Sequence, residues 1–87
     1  MCAASLLVVE DNKDLNALVT EFFQGEGYTV HSALTGEDGV ELSRANRIDL
    51  VLLDIRLPDI DGYVVFAKLR EHPPTQNTPV ILLTERR

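Results

Sequence analysis

Acidic residues stand where this chain leaves its apolar runs. Glu10 and Asp11 follow "SLLVV" (5–9), and Asp54 ends "DLVLLD" (49–54). A third run, "VILLT" (80–84), ends in Thr84. Burying a carboxylate is costly unless it is paired or neutralised. An acid that closes an apolar run therefore belongs at the mouth of a strand, not inside a core. Brought close together, Glu10, Asp11 and Asp54 would repel one another, and a proton or a cation must compensate. Oxygen-only ligands at that density suit a hard cation, Mg2+ foremost. Such an ion holds a phosphoryl group and shields its approach to a carboxylate. An aspartate so placed can act as nucleophile and become an aspartyl phosphate. Each residue alone has a plainer reading. Glu10-Asp11 could cap a helix starting near Asn12, Asp54 could cap a turn, and Thr84 could be a β-former. Their coincidence at three strand ends favours a site.

The elements that must bring them together are legible in the periodicities. "SLLVV" is a short, continuous apolar run and reads as a buried strand. Leu15, Leu18, Val19, Phe22 and Phe23 recur at helical spacing and predict an amphipathic helix that buries this stripe. Gly25 and Gly27 stop it. "YTVHSA" (28–33) alternates and predicts a second strand near a sheet edge. Thr35-x-x-Asp38 resembles a capping box and opens a helix through Ala45. "DLVLLD" is apolar on both faces. Pro58 and Asp59 belong to a loop, and Asp61 caps a third helix in which Val65, Phe66 and Leu69 share a face. "HPPTQNT" (72–78) is irregular, and "VILLT" is a fourth strand. Alternating strands and helices imply an α/β fold with a doubly wound parallel sheet. Ligands bind such a sheet beyond the carboxyl ends of its strands, where the strand order reverses. With the order 2-1-3-4, Glu10, Asp11 and Asp54 face one crevice.

The chain has 87 residues, which predicts one domain over 1–87. Twelve of the fourteen acids lie in the first 62 residues and the net charge is −6, a field that repels nucleic acid and anionic membrane. No run approaches the ~20 apolar residues of a membrane span. "MCAASLLVVE" lacks the basic start and long apolar core of a leader. Cys2 is the single cysteine, which excludes an intrachain disulfide and fits a reducing, cytoplasmic setting. His31 and His72 sit among no acids or cysteines at metal spacing and read as surface residues. Lys68, Arg70, Arg86 and Arg87 read as solvated charges.

"LLVVEDN", "DLVLLDIRLPDIDGY" and "TPVILLT", with "GYTVHSALTGEDGVEL" between them, resemble the receiver domain of two-component response regulators across the whole chain. The resemblance implies a flavodoxin-like fold that accepts phosphoryl from a sensor histidine kinase or phosphotransfer protein with Mg2+. It implies a signalling module rather than an enzyme. On this resemblance Asp54 matches the phosphoacceptor and Asp11 the direct metal ligand. Glu10 matches the first acidic position, which often acts through a metal-bound water. Arg56 would offer its backbone carbonyl to the metal, and its side chain sits where the family tunes autohydrolysis. Thr84 matches the switch hydroxyl that contacts the phosphoryl group, and Pro58 and Gly62 match loop and turn positions.

The sequence departs from the family in several places. A fifth strand, the lysine that ends it, and the last two helices have no counterpart in these residues, which read as an incomplete, N-terminal portion. Without that lysine, phosphorylation of Asp54 is expected to be slow or absent. Glu85 stands where a small residue usually follows the switch threonine. Val64 should leave an apolar spot on the third helix. The alternative reading is a phosphorylation-incompetent fragment acting as an interaction or scaffold module, pairing through an exposed fourth strand as a possible homodimer. Haloacid-dehalogenase-type phosphatases and Toprim nucleases need a second acid two residues after the first. Arg56 occupies that position here.

Overall fold

The computed structural model describes residues 4–83. β1 (Ser5–Val9), α1 (Lys13–Gly25), β2 (Thr29–Ala33), α2 (Gly36–Ala45), β3 (Leu50–Asp54), α3 (Gly62–Glu71) and β4 (Val80–Leu83) follow in turn, with a 3-10 turn at Pro73–Thr75. The strands form one parallel sheet in the order β2-β1-β3-β4. This is the expected doubly wound order, with the reversal between β1 and β3. Thr84, Glu85, Arg86 and Arg87, and Cys2 at the other end, lie outside the described residues. No helix among the described residues is long and apolar enough to cross a membrane.

The main core lies between the sheet and the α2–α3 layer. Leu7, Val9, Val51 and Leu53 project from β1 and β3 onto Val40, Val65 and Leu69. Each such side chain taken fully from water contributes about 1.5–3 kcal/mol. The alternate residues Leu6, Val8 and Leu52 are also buried, on the opposite face. A strand apolar on both sides is what a parallel sheet covered on both faces requires.

α1 packs on β1 and β2 through only part of the stripe that periodicity predicts, its Val19 and Phe23. Leu15, Leu18 and Phe22 are exposed, Leu18 by 66%. The face turned to the sheet is Asn16, Val19, Thr20 and Phe23, which holds the same i, i+3, i+4, i+7 spacing. A buried amide makes the difference. Asn16 Nδ2 donates to the carbonyls of Glu10 and Ala33, both at 3.0 Å, and its Oδ1 accepts from Thr20 Oγ1 at 3.2 Å. These bonds orient the helix more specifically than an apolar stripe, which is non-directional.

The helix starts agree better with the sequence. Asn12 caps α1, its Oδ1 accepting from Leu15 N–H at 3.0 Å. Thr35 caps α2 by accepting from Asp38 N–H, and Asp61 caps α3 by accepting from Tyr63 N–H. Gly27, at φ +97° in the left-handed region, turns the chain from α1 into β2. β2 begins at Thr29 rather than Tyr28. Tyr28 instead sets its ring edge-on to Phe23 at 5.7 Å. Val64 is exposed as expected, and so is its neighbour Tyr63, with Ile81 and Leu82 of β4 also exposed. Arg70 is not a solvated charge. Its guanidinium lies over the Phe66 ring and donates to the carbonyls of Thr75 and Thr78, holding the turn that leads into β4.

Candidate functional site

The reversal of strand order places the carboxyl ends of β1 and β3 side by side. Val9 pairs in register with Leu53, so the residue after each lies at the same edge of the sheet. Glu10 follows β1 and Asp54 ends β3. One oxygen from each of Glu10, Asp11 and Asp54 can be chosen so that all lie within 4.8 Å of one another. Glu10 and Asp54 are 5% and 8% exposed, whereas Asp11 faces solvent. The three strand-end acids read from the sequence therefore meet in the crevice they predict.

Backbone donors aim the buried pair. Glu10 Oε2 accepts from Asn12 N–H at 3.0 Å, and Asp54 Oδ1 accepts from Arg56 N–H at 3.1 Å. Asn12 thus serves twice, its side chain as the cap of α1 and its N–H as a guide for Glu10. The Glu10 backbone is fixed too, its N–H donating to Ala33 carbonyl at 3.0 Å. Asn16 reaches the same carbonyl. This residue escapes a reading based on carboxylates. Its only signal was an amide at the i+4 position from the helix cap.

Burial pushes the Glu10 carboxyl up to about 7, with the Asn12 N–H opposing and the Asp54 charge adding. Burial likewise raises Asp54, opposed by the Arg56 N–H and reinforced by Asp11. The crowded acids therefore cost stability when ionised, and a hard cation offered oxygen ligands would relieve them. In metal-free protein, the folded state holds a proton on Glu10 that the unfolded chain releases from about pH 4.5 upward. Glu10 therefore contributes stability that is complete below its unfolded value and is lost as pH rises through about 7. Thermal melts between pH 5 and pH 8 should fall more steeply for the wild type than for Glu10→Gln. Parallel profiles would show that Glu10 is not strained.

Arg56 lies two residues beyond Asp54, in the loop from β3 to α3. Gly62 closes that loop, its N–H donating to Ile55 carbonyl at 2.8 Å. The loop's tip is tied down by a residue whose role the sequence did not disclose. Asp59 accepts from Gly36 N–H at 2.8 Å through Oδ1 and from Glu37 N–H at 2.9 Å through Oδ2. These donors hold its carboxyl below the ordinary range. Its partners are 22 and 23 residues away, so no local pattern could reveal them. Thr84, the proposed phosphoryl contact, lies outside the described residues.

A family model described as the response regulator receiver domain matches residues 6–87. The transcriptional regulatory protein AfsQ1 of Streptomyces coelicolor is 40% identical over 82 residues, covering 94% of this chain and 35% of that protein. The chain spans about a third of the length of the curated relatives it matches. Among solved structures, the receiver domain of sensor histidine kinase PA1611 from Pseudomonas aeruginosa, with a magnesium ion coordinated in its active-site cleft, superposes with a TM-score of 0.89. It is 30% identical, and the match covers 95% of this chain and 68% of that one. The response regulator protein TrrA of Thermotoga maritima, in complex with Mg2+-BeF, gives 0.84 at 34% identity, covering 93% and 69%.

Proposed function

We propose, from the premise that this chain belongs to the family of response regulator receiver domains, that it is a phosphoacceptor module whose Asp54 takes a phosphoryl group from a sensor histidine kinase or a phosphotransfer protein. The observation that carries this reading is the meeting of Glu10, Asp11 and Asp54 at the strand-order reversal. Asp54 is the acid of the three that ends the central strand β3, and the Arg56 N–H holds one of its oxygens. On this reading its other oxygen attacks phosphorus. A new P–O bond forms to Asp54. The bond from phosphorus to the donor breaks, its electron pair leaving with the imidazole of a phosphohistidine or with acetate when acetyl phosphate is the donor. The imidazole gains a proton as it leaves.

The residues fit a hard divalent cation. One carboxylate oxygen from each of Glu10, Asp11 and Asp54 lies within 4.8 Å of the others, an all-oxygen donor set of the kind a hard cation takes. Asp11 would bind directly, Asp54 would share an oxygen, Glu10 would act through water, and Arg56 would supply its carbonyl. When bound, Mg2+ would supply positive charge that offsets the carboxylates and the incoming phosphoryl group. The magnesium in the PA1611 and TrrA structures supports this choice.

Incubation with acetyl phosphate, followed by intact-mass measurement, tests the reading. A gain of one phosphoryl group is expected with Mg2+ and none with a chelator. Uptake should be slow in this 87-residue chain, which has no lysine after Lys68 to pair with the phosphoryl oxygens. Equal uptake with and without Mg2+ would refute the metal's part, and no uptake after long incubation would favour the scaffold reading.

A further inference from the structure

We propose that Asp59 is a positioning residue for this site, clamping the loop that carries Arg56 onto the N-terminus of α2. The inference rests on the metal-site reading above. The first turn of a helix leaves N–H groups without intrahelical partners. In α2 they are divided between two acceptors. Thr35, the local cap, takes Asp38 N–H. Asp59, from across the fold, takes Gly36 and Glu37 N–H with its two oxygens. α2 therefore keeps its own cap when Asp59 is lost, whereas the loop loses its polar anchor.

The loop is held at both ends. At its base, Gly62 N–H bonds Ile55 carbonyl and Arg56 N–H bonds Asp54. At its tip, Asp59 grips α2. The next residue, Ile60, packs against Gly36 so closely that a Cβ there would lie 2.5 Å from Ile60 Cγ1. Arg56, Leu57 and Pro58 span the interval, and proline fixes φ at the last of them. The peptide plane bearing the Arg56 carbonyl thus lies between two anchored points, and its direction is set in part by Asp59. Groups that orient a metal ligand typically change affinity by 10–100-fold when removed. Ile60 and the Arg56–Asp54 bond remain after Asp59 is lost, so the lower end applies.

The test is Mg2+ titration of the 87-residue chain, followed by amide NMR shifts with thermal melts in parallel. The variants are Asp59→Ala, Asp59→Asn and Thr35→Ala. Asp59→Ala should weaken Mg2+ binding about tenfold and speed hydrogen exchange at Gly36 and Glu37. Asp59→Asn keeps one acceptor oxygen and should lose less, which keeps the test open if the alanine variant folds poorly. Thr35→Ala should lose melting temperature comparably but hold Mg2+ affinity within about twofold, since it removes a cap without freeing the loop. Equal loss of affinity in Thr35→Ala and Asp59→Ala would overturn the proposal, because general loosening of α2 would then explain both. Unchanged affinity in both Asp59 variants would also overturn it. Failure of the wild type to bind Mg2+ would instead overturn the metal site, and this inference with it.

Discussion

Asp54→Asn is expected to abolish phosphoryl uptake while making the metal-free protein more stable at pH 8. The two effects have one cause. Asp54 is buried, and burial with Asp11 nearby raises its carboxyl above the usual range. Ionising it in the folded protein therefore carries a cost that the unfolded chain does not bear. Neutral asparagine removes that cost, and its Oδ1 can still accept from Arg56 N–H. Glu10, relieved of a neighbouring charge, should titrate at lower pH. The amide is a poor nucleophile, so no acyl phosphate forms. The stabilisation conferred by Mg2+ should shrink in the same variant, because ligand binding stabilises only in proportion to affinity for the folded state. Intact mass after acetyl phosphate and a pair of melts with and without Mg2+ read all of this. Uptake that survives Asp54→Asn would mean another side chain is the acceptor. A lower melting temperature would mean that the Asp54 charge is compensated in the fold.

Gly62→Ala should be the most damaging small substitution near the site. An alanine Cβ would sit 2.5 Å from Asp54 carbonyl oxygen, 2.6 Å from Ile55 Cα and 2.9 Å from Ile55 oxygen. All three are backbone atoms at the mouth of β3, and none can swing aside as a side chain would. Alanine is the better helix former by about 1 kcal/mol, but this gain is smaller than the cost of moving a strand end. A loss of about 2–3 kcal/mol is expected, or roughly 10–20 °C in melting temperature for a domain of this size. Gly25→Ala is the matched control. It ends α1, and its added Cβ would meet nothing within 4 Å, so its stability should be unchanged or slightly raised. Urea unfolding of the two variants settles the comparison. A Gly62→Ala protein within about 0.5 kcal/mol of the wild type would show that β3 and α3 can separate more freely than their packing implies.

The parts of this fold carried by local patterns were readable from the chain. Continuous apolar runs marked β1, β3 and β4, and the acids ending the first two marked the crevice. Thr35 and Asp61 announced their helices, because a cap and its N–H partner lie within three residues. The parts carried by distant partners were not readable. Asp59 looked like a loop residue, since Gly36 and Glu37 come near it only after the sheet forms. Asn16 carried no carboxylate or periodic signal that singled it out. In the structure its amide bridges Glu10 and Ala33, and the helix turns to bury it. Leu15, Leu18 and Phe22 then remain outside. Gly62 was recognisable as a turn position, but the reason for glycine, the backbone of Asp54 and Ile55, was not.

The central claim is that Asp54 itself carries the phosphoryl group, and chemical trapping tests it most directly. An acyl phosphate is reduced by borohydride to an alcohol, converting the modified aspartate to homoserine. The chain should be incubated with acetyl phosphate and Mg2+, reduced, digested and sequenced by tandem mass spectrometry. The account predicts homoserine at position 54, with Glu10, Asp11, Asp59 and Asp61 unchanged. Reduction product at any of those residues in place of Asp54, or a phosphoryl group that resists borohydride, would contradict it.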